Sequence, residues 1–191
     1  MIGRTHDLAA FTALSYIVAT SSLQQMSLAT LITAFSANMI GGLAPDIDKA
    51  TSNFWDHIPA GFIFGRLFSP VFGRHRFISH SVVGIVIFGF GLQYLLGLVS
   101  KVLIADMSII WWAFMIGFVS HLIADSFTKD GVPWLFPIPI HLGFPPFKFL
   151  RIKTGGLLEK SVVFPGLVIL NVYFYYAYSS QFLDFLKHYI K

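Results

Sequence analysis

The sequence predicts an all-α membrane protein, a polytopic bundle of about five apolar helices with two long interfacial connections. Of its 191 residues, 55% are hydrophobic and only 12% are charged, whereas about 25% are charged in an ordinary soluble domain. The chain also carries 21 Phe, 7 Tyr and 4 Trp, more aromatic surface than so few charged groups can keep soluble. The length fits one domain, so residues 1–191 are expected to form a single membrane-embedded unit.

Five apolar stretches carry the predicted membrane helices. In chain order they are Leu8 to Leu23, Leu28 to Leu43, Val82 to Val102, Ile109 to Ile123 and Val162 to Tyr178. Several are shorter than the roughly 20 residues that cross a bilayer, so tilt or incomplete crossing stays open. The two connections, residues 45–79 and 129–161, are rich in aromatic residues and proline. Such a composition is typical of the membrane interface.

Five crossings place the N-terminus and both connections on one side of the membrane. Ten of the 13 Lys and Arg residues fall on that side, and three fall on the other, namely Lys101, Lys187 and Lys191. Cytoplasmic loops are enriched in Lys and Arg, so the first side is predicted to be cytoplasmic.

Two motifs place His and Asp side chains at predicted helix ends. In SHLIADSFT, His121 and Asp125 are four residues apart and share one helical face, where both can bind one divalent metal ion. The alternative is a hydrogen bond within the helix. In GGLAPDIDK, Asp46 and Asp48 follow the second helix, and two carboxylates so close favour a cation between them. The alternative there is a solvated turn.

A third motif, RHRFISHS, brackets the start of the third apolar helix with His75 and His80. Between them, the Arg76 guanidinium can bind an anionic oxygen in two-point fashion. The alternative is a positive anchor at the cytoplasmic side with Ser79 as the helix cap. His6, before the first apolar stretch, is the weakest candidate because it stands alone.

These candidates converge on one side of the membrane in the five-crossing topology. Because the chain has no cysteine, any metal must be held by imidazole and carboxylate, which suit zinc or another divalent ion. We therefore predict one or two divalent ions, zinc foremost. The candidate ligands are His6, Asp46, Asp48, His75, His80, His121 and Asp125.

The sequence resembles the YdjM-like family of membrane-bound, predicted metal-dependent hydrolases. The resemblance rests on His6, LAPDID (Leu43 to Asp48), HRFISHS (His75 to Ser81), GFVSHLIADSFTKDGVPWLFP (Gly117 to Pro137) and Glu159 in TGGLLE. It implies a helical membrane fold, hydrolase activity and the same seven metal ligands. A more distant likeness to zinc-dependent phospholipase C and its related nucleases implies phosphoester hydrolysis. The chain departs from that group in its membrane burial and its smaller ligand set.

Together these features favour hydrolysis of a phosphoester in a lipid or other amphiphile at a bacterial or archaeal cell membrane, with the site on the cytoplasmic face. Arg76 is the expected anion-binding residue, and Asp48 or Glu159 the expected general base. The expected partners are membrane lipid and an amphiphilic substrate, without nucleic acid. The alternative is a metal-ion transporter or a metal-binding membrane protein without catalysis, which also needs buried His and Asp.

Overall fold

The predicted all-α fold is confirmed in a computed structural model that describes residues 1–21, 26–49, 51–56, 61–68, 78–181 and 183. Seven α-helices lie within those ranges: α1 (Gly3–Thr20), α2 (Leu28–Leu43), α3 (Asn53–Asp56), α4 (Gly61–Phe68), α5 (Val82–Val99), α6 (Met107–Ser126) and α7 (Phe164–Ala177). A 3-10 turn, Ala44–Asp48, extends α2, and a π-helical turn, Glu159–Val163, precedes α7. The two short helices α3 and α4 lie in the first connection, which was predicted only to be interfacial.

Four helical stretches are long and apolar enough to cross a membrane. They are Leu28–Asp48, Val82–Val99, Met107–Ser126 and Glu159–Ala177. They coincide with the last four predicted apolar stretches. Helix α1 is not among the four, and its first turns carry the polar residues Arg4, His6 and Asp7. It nevertheless packs against α2, α6 and α7, so the bundle has the five long helices that the sequence predicts.

Helices α2 and α6 form the centre of the bundle and touch backbone to backbone. A Cβ atom added to Gly41 would lie 2.1 Å from the carbonyl oxygen of Phe114, and one added to Gly117 would lie 2.1 Å from that of Asn38. The buried Asn38 amide also donates a hydrogen bond of 2.9 Å to the carbonyl oxygen of Ala113. This close approach holds the C-terminal ends of α2 and α6 side by side.

Helix α5 begins at the predicted residue Val82, and its capping residue is Ser81. The hydroxyl of Ser81 accepts a hydrogen bond of 3.1 Å from the Gly84 amide, as an N-cap does. Ser79, the residue that the alternative interpretation made the cap, is fully buried and bonded elsewhere. Its hydroxyl therefore does not cap α5 and instead contacts the cluster of His and Asp residues described below.

The second connection is folded rather than loose. Isolated β-bridges join Thr128 to Ile152 and Val132 to Leu142. The Arg151 side chain is 6% exposed, and its guanidinium donates to the carbonyl oxygens of Gly143, Pro145 and Pro146 at 2.7–3.0 Å. The amides of Phe144 and Ile152 donate hydrogen bonds of 2.8 and 3.0 Å to the carbonyl oxygens of Ser126 and Phe127, which fixes the connection against the C-terminal end of α6.

The bundle predicts which connections share a side of the membrane. We expect cysteines introduced singly at Lys49 and Lys153 to react with an impermeant thiol reagent from one side, and a cysteine at Lys101 from the other. The native chain contains no cysteine, so labelling reports only the introduced position. Labelling of positions 49 and 153 from opposite sides of the membrane would contradict the predicted topology. Labelling of both from outside would keep that topology and show only that the cytoplasmic orientation is wrong.

Candidate metal centre

Five His and Asp side chains meet where four helices have their ends. His6 comes from the first turns of α1, Asp46 from the turn after α2, His80 from just before α5, and His121 and Asp125 from the end of α6. Four of them are buried, and the Asp46 side chain is 22% exposed. Their ligand atoms form two overlapping groups, one of His6, His121 and Asp125, the other of Asp46, His80 and His121, each within 4.8 Å.

Two imidazoles and two carboxylates of this cluster face one another alternately. The Nε2 atom of His80 lies 3.6 Å from Asp46 Oδ1 and 3.8 Å from Asp125 Oδ2. The Nε2 atom of His121 lies 3.9 Å from each of the same two oxygens. Tetrahedral ligands at about 2.1 Å from zinc are roughly 3.4 Å apart. The four donor atoms are therefore spaced a few tenths of an ångström wider than a bound divalent ion would require.

Hydrogen bonds on the far side of each ring set which nitrogen can bind a metal. His121 Nδ1 lies 2.6 Å from the carbonyl oxygen of Gly42, which can only accept, so the proton is assigned to Nδ1. The Ser79 hydroxyl donates to Asp48 Oδ2 at 2.8 Å and lies 3.0 Å from His80 Nδ1. Its oxygen then accepts from His80. Both histidines thus present an unprotonated Nε2, the form that ligates metal.

His6 belongs to this cluster, although its sequence context made it the weakest candidate. Its ring is stacked on that of His121, with centroids 3.6 Å apart and planes 10° from parallel. Its Nε2 atom lies 3.3 Å from Asp125 Oδ1, and the Met1 amino group contacts the same oxygen. The two oxygens of Asp125 therefore face different partners, Oδ1 toward His6 and Oδ2 toward the other two histidines.

The remaining predicted site residues occupy different positions. Asp48 lies behind His80, 3.7 Å from Nδ1 rather than beside Nε2. Glu159 is fully buried, and its two oxygens accept hydrogen bonds of 2.7 Å from the backbone amides of Ile2 and Gly155. His75 and Arg76 lie outside the described residues. The structure therefore brings five of the seven predicted ligands into direct proximity and sets Asp48 behind them.

The chemistry of the cluster fits a divalent cation. Asp46 and Asp125 bring two carboxylates into a largely buried site, and burying like charges is costly without a cation between them. His121 Nε2 is buried and has no hydrogen-bond partner among the described residues, whereas a metal ion would satisfy it. These residues can therefore hold a metal ion whose identity they leave open between zinc and other divalent ions.

Sequence reasoning missed the two groups that orient the histidines. The hydroxyl of Ser79 was available in the motif RHRFISHS, and a serine adjoining a candidate ligand is the signal that points to it. The carbonyl of Gly42 carries no such signal, because a backbone oxygen becomes an acceptor for His121 only when α2 and α6 pack together.

Comparisons with known proteins find matches to this sequence over most of its length. A family model for the YdjM inner membrane protein matches residues 1–183. The uncharacterized protein YvsG of Bacillus subtilis is 32% identical over 179 residues, which cover 92% of this chain and 95% of that protein. No solved structure matches the chain.

Proposed function

Because this chain belongs to the YdjM inner membrane protein family, an integral membrane family, we propose that its cluster of His and Asp residues is the metal centre of a membrane-bound hydrolase. The observation that carries the proposal is the alternation of two carboxylates with two Nε2 atoms at 3.6–3.9 Å. In such a centre a divalent ion, zinc foremost, supplies Lewis-acid activation of water and of a phosphoryl oxygen at neutral pH.

The position of the centre supports an amphiphilic phosphoester as the substrate. The cluster lies at the ends of apolar helices, the depth at which a lipid carries its headgroup. Lys129, Lys148, Lys153 and Lys160 are exposed in the adjoining connection, where they attract an anionic headgroup. Asp46 is the ligand with an exposed side, so the substrate is expected to approach past it, from the cytoplasmic face.

The chain's own residues divide into three roles in this proposal. Arg76 binds the anionic group of the substrate, since its charge excludes it from ligating a cation. Asp48 and Ser79 hold the proton on His80 Nδ1 and so keep Nε2 directed at the ion. Glu159, whose oxygens both accept backbone amides, positions the segment that carries His6, a role that its contacts favour over proton transfer.

The packing beyond the centre favours hydrolysis over transport of the metal ion. A transporter needs polar groups along a path through the bilayer. Here the backbones of α2 and α6 touch at Gly41 and Gly117, directly beyond the cluster. The Nδ2 groups of Asn38 and of the partly buried Asn171 donate hydrogen bonds to the Ala113 carbonyl and the Thr12 hydroxyl. The described part of this interface leaves no ion path between these helices.

Turnover by purified, metal-loaded protein tests the proposed hydrolysis. We expect release of phosphate or of an alcohol from phospholipids or isoprenyl phosphates, little release from soluble phosphodiesters, and none after metal removal. If none of these compounds is turned over and the protein instead moves metal into liposomes, transport replaces hydrolysis as the function.

The variant Arg76→Lys separates substrate binding from topology. It keeps the positive charge but loses the planar guanidinium, so we expect turnover to fall by about 100-fold, as when an anion-binding donor is removed. Metal content and membrane orientation should not change. Arg66→Lys is the matched control, because Arg66 is an exposed cation of the same connection. Equal activity of both variants would remove Arg76 from the substrate site.

A further inference from the structure

The outer surface of the second connection is unusually apolar for a segment without regular secondary structure. Eight large apolar side chains are exposed between residues 135 and 150, and Phe149 reaches 77% and Phe144 63%. We call this surface the apolar plate; it consists of Leu135, Ile138, Ile140, Leu142, Phe144, Phe147, Phe149 and Leu150. So many exposed apolar side chains within one short segment are rare against water and mark a contact with lipid or protein.

Hydrogen bonds and buried side chains fix the backbone that carries the plate. The Arg151 guanidinium binds three carbonyl oxygens beneath it, and a Cβ atom at Gly143 would lie 2.6 Å from that guanidinium. The Trp134 carbonyl accepts a hydrogen bond of 3.1 Å from the Val82 amide at the start of α5. Val132 is fully buried against the core. The exposed side chains therefore cannot turn inward without breaking these contacts.

The plate lies in the chain between two candidate membrane spans, and its connection contacts the end of α6 that carries two residues of the metal centre. The connection that carries it joins α6, which ends at Ser126, to the stretch Glu159–Ala177, the last candidate span. The Thr128 hydroxyl at its base donates 2.7 Å to the carbonyl oxygen of Asp125. Two lysines within or beside the plate, Lys129 and Lys148, are exposed, and positive charge next to an apolar surface fits an anionic lipid layer.

We propose that the apolar plate lies within the headgroup and glycerol layer of the leaflet on the metal side and anchors the centre at that depth. Irregular backbone is excluded from lipid-exposed hydrocarbon, because its amide and carbonyl groups would lack partners. The plate therefore enters the leaflet by about 5–10 Å, as an interfacial amphipathic segment does, and goes no deeper. This placement of the plate does not depend on hydrolase activity.

Fluorescence quenching in vesicles tests this placement without any assay of activity. The full-length protein carries one cysteine, Phe147→Cys, labelled with an environment-sensitive fluorophore in vesicles of phosphatidylglycerol and phosphatidylcholine. Gly91→Cys in α5 is the deep reference, because a Cβ there meets nothing within 4 Å. Lys49→Cys is the aqueous reference. Phe149→Cys repeats the measurement if the first variant does not fold.

We expect a nitroxide near the lipid headgroup to quench position 147 at least about twofold more than position 49, as immersion at the headgroup boundary implies. A nitroxide at the end of the acyl chain should quench position 91 most. Strong quenching of position 147 by aqueous iodide would overturn the proposal by showing that the plate faces water. Protection from both iodide and nitroxide would overturn it too, because protein, such as a second copy of this chain, would then cover the plate.

Discussion

Replacing His121 by alanine is expected to abolish tight metal binding while leaving membrane insertion intact. His121 Nε2 belongs to both ligand groups, so its removal leaves neither complete. Loss of an outer hydrogen-bond partner of a ligand already weakens metal affinity by about 10–100-fold, and loss of the ligand itself should exceed about 100-fold. Insertion depends on apolar length and should not change. Elemental analysis after purification in detergent measures the bound metal. Membrane fractionation measures insertion.

His141→Ala is the matched control for this experiment. His141 is an exposed histidine of the second connection and stands outside both ligand groups. The control should bind as much metal as the unaltered protein. The unaltered protein and the control should also gain thermal stability on adding zinc, since a ligand bound only by the folded state stabilises it, whereas His121→Ala should not. Full metal content in His121→Ala would refute the assignment of this cluster.

Replacing Gly117 by alanine is expected to damage both the fold and the metal centre. The new methyl group would lie 2.1 Å from the carbonyl oxygen of Asn38 and 2.9 Å from the amide nitrogen of Gly42. Because these are backbone atoms, α2 and α6 must move apart. Such overpacking costs about 1–3 kcal/mol. The shift also moves the Gly42 carbonyl away from His121 Nδ1, so metal affinity should fall by about 10–100-fold.

Gly91→Ala isolates the effect of the contact from that of removing a glycine. A Cβ atom at Gly91 has no neighbour within 4 Å, and alanine is favoured over glycine in a helix by roughly 0.5–1 kcal/mol. The melting temperature in detergent should therefore stay the same or rise. If Gly117→Ala melted and bound metal like Gly91→Ala, the backbone contact between α2 and α6 would not support the centre.

The long helices could be predicted from the sequence because the bilayer requires continuous apolar length. The predicted stretch Leu28 to Leu43 has the bounds of α2, and α5 begins at the predicted residue Val82. The ends of α1 were less accurate. It begins at Gly3 because Arg4 and His6 do not interrupt a helix that packs against α2 and α6. The length of the apolar stretch could not predict this start, because the polar residues lie before the stretch begins.

The candidate site was predictable in its residue types and less so in its arrangement. His121 and Asp125 follow from helical spacing, because positions four apart share one face. Two features depend on contacts between helices, namely the stacking of His6 on His121 and the position of Asp48 on the Nδ1 side of His80. No local pattern encodes such contacts. The group that orients His121 is the backbone carbonyl of Gly42, and sequence motifs do not show which backbone groups will serve as hydrogen-bond partners.

The distribution of the ligands over separate helices has a consequence for biosynthesis. His6 enters the membrane with the first helix, Asp46 with the second, and His80 with α5, but His121 and Asp125 arrive only with α6. Until α6 has been inserted, neither ligand group contains the shared His121. A metal ion held by these residues would therefore bind only after α6 has been inserted, and an incompletely inserted chain would remain metal-free. Metal binding would thus require that four helices have docked in the correct register.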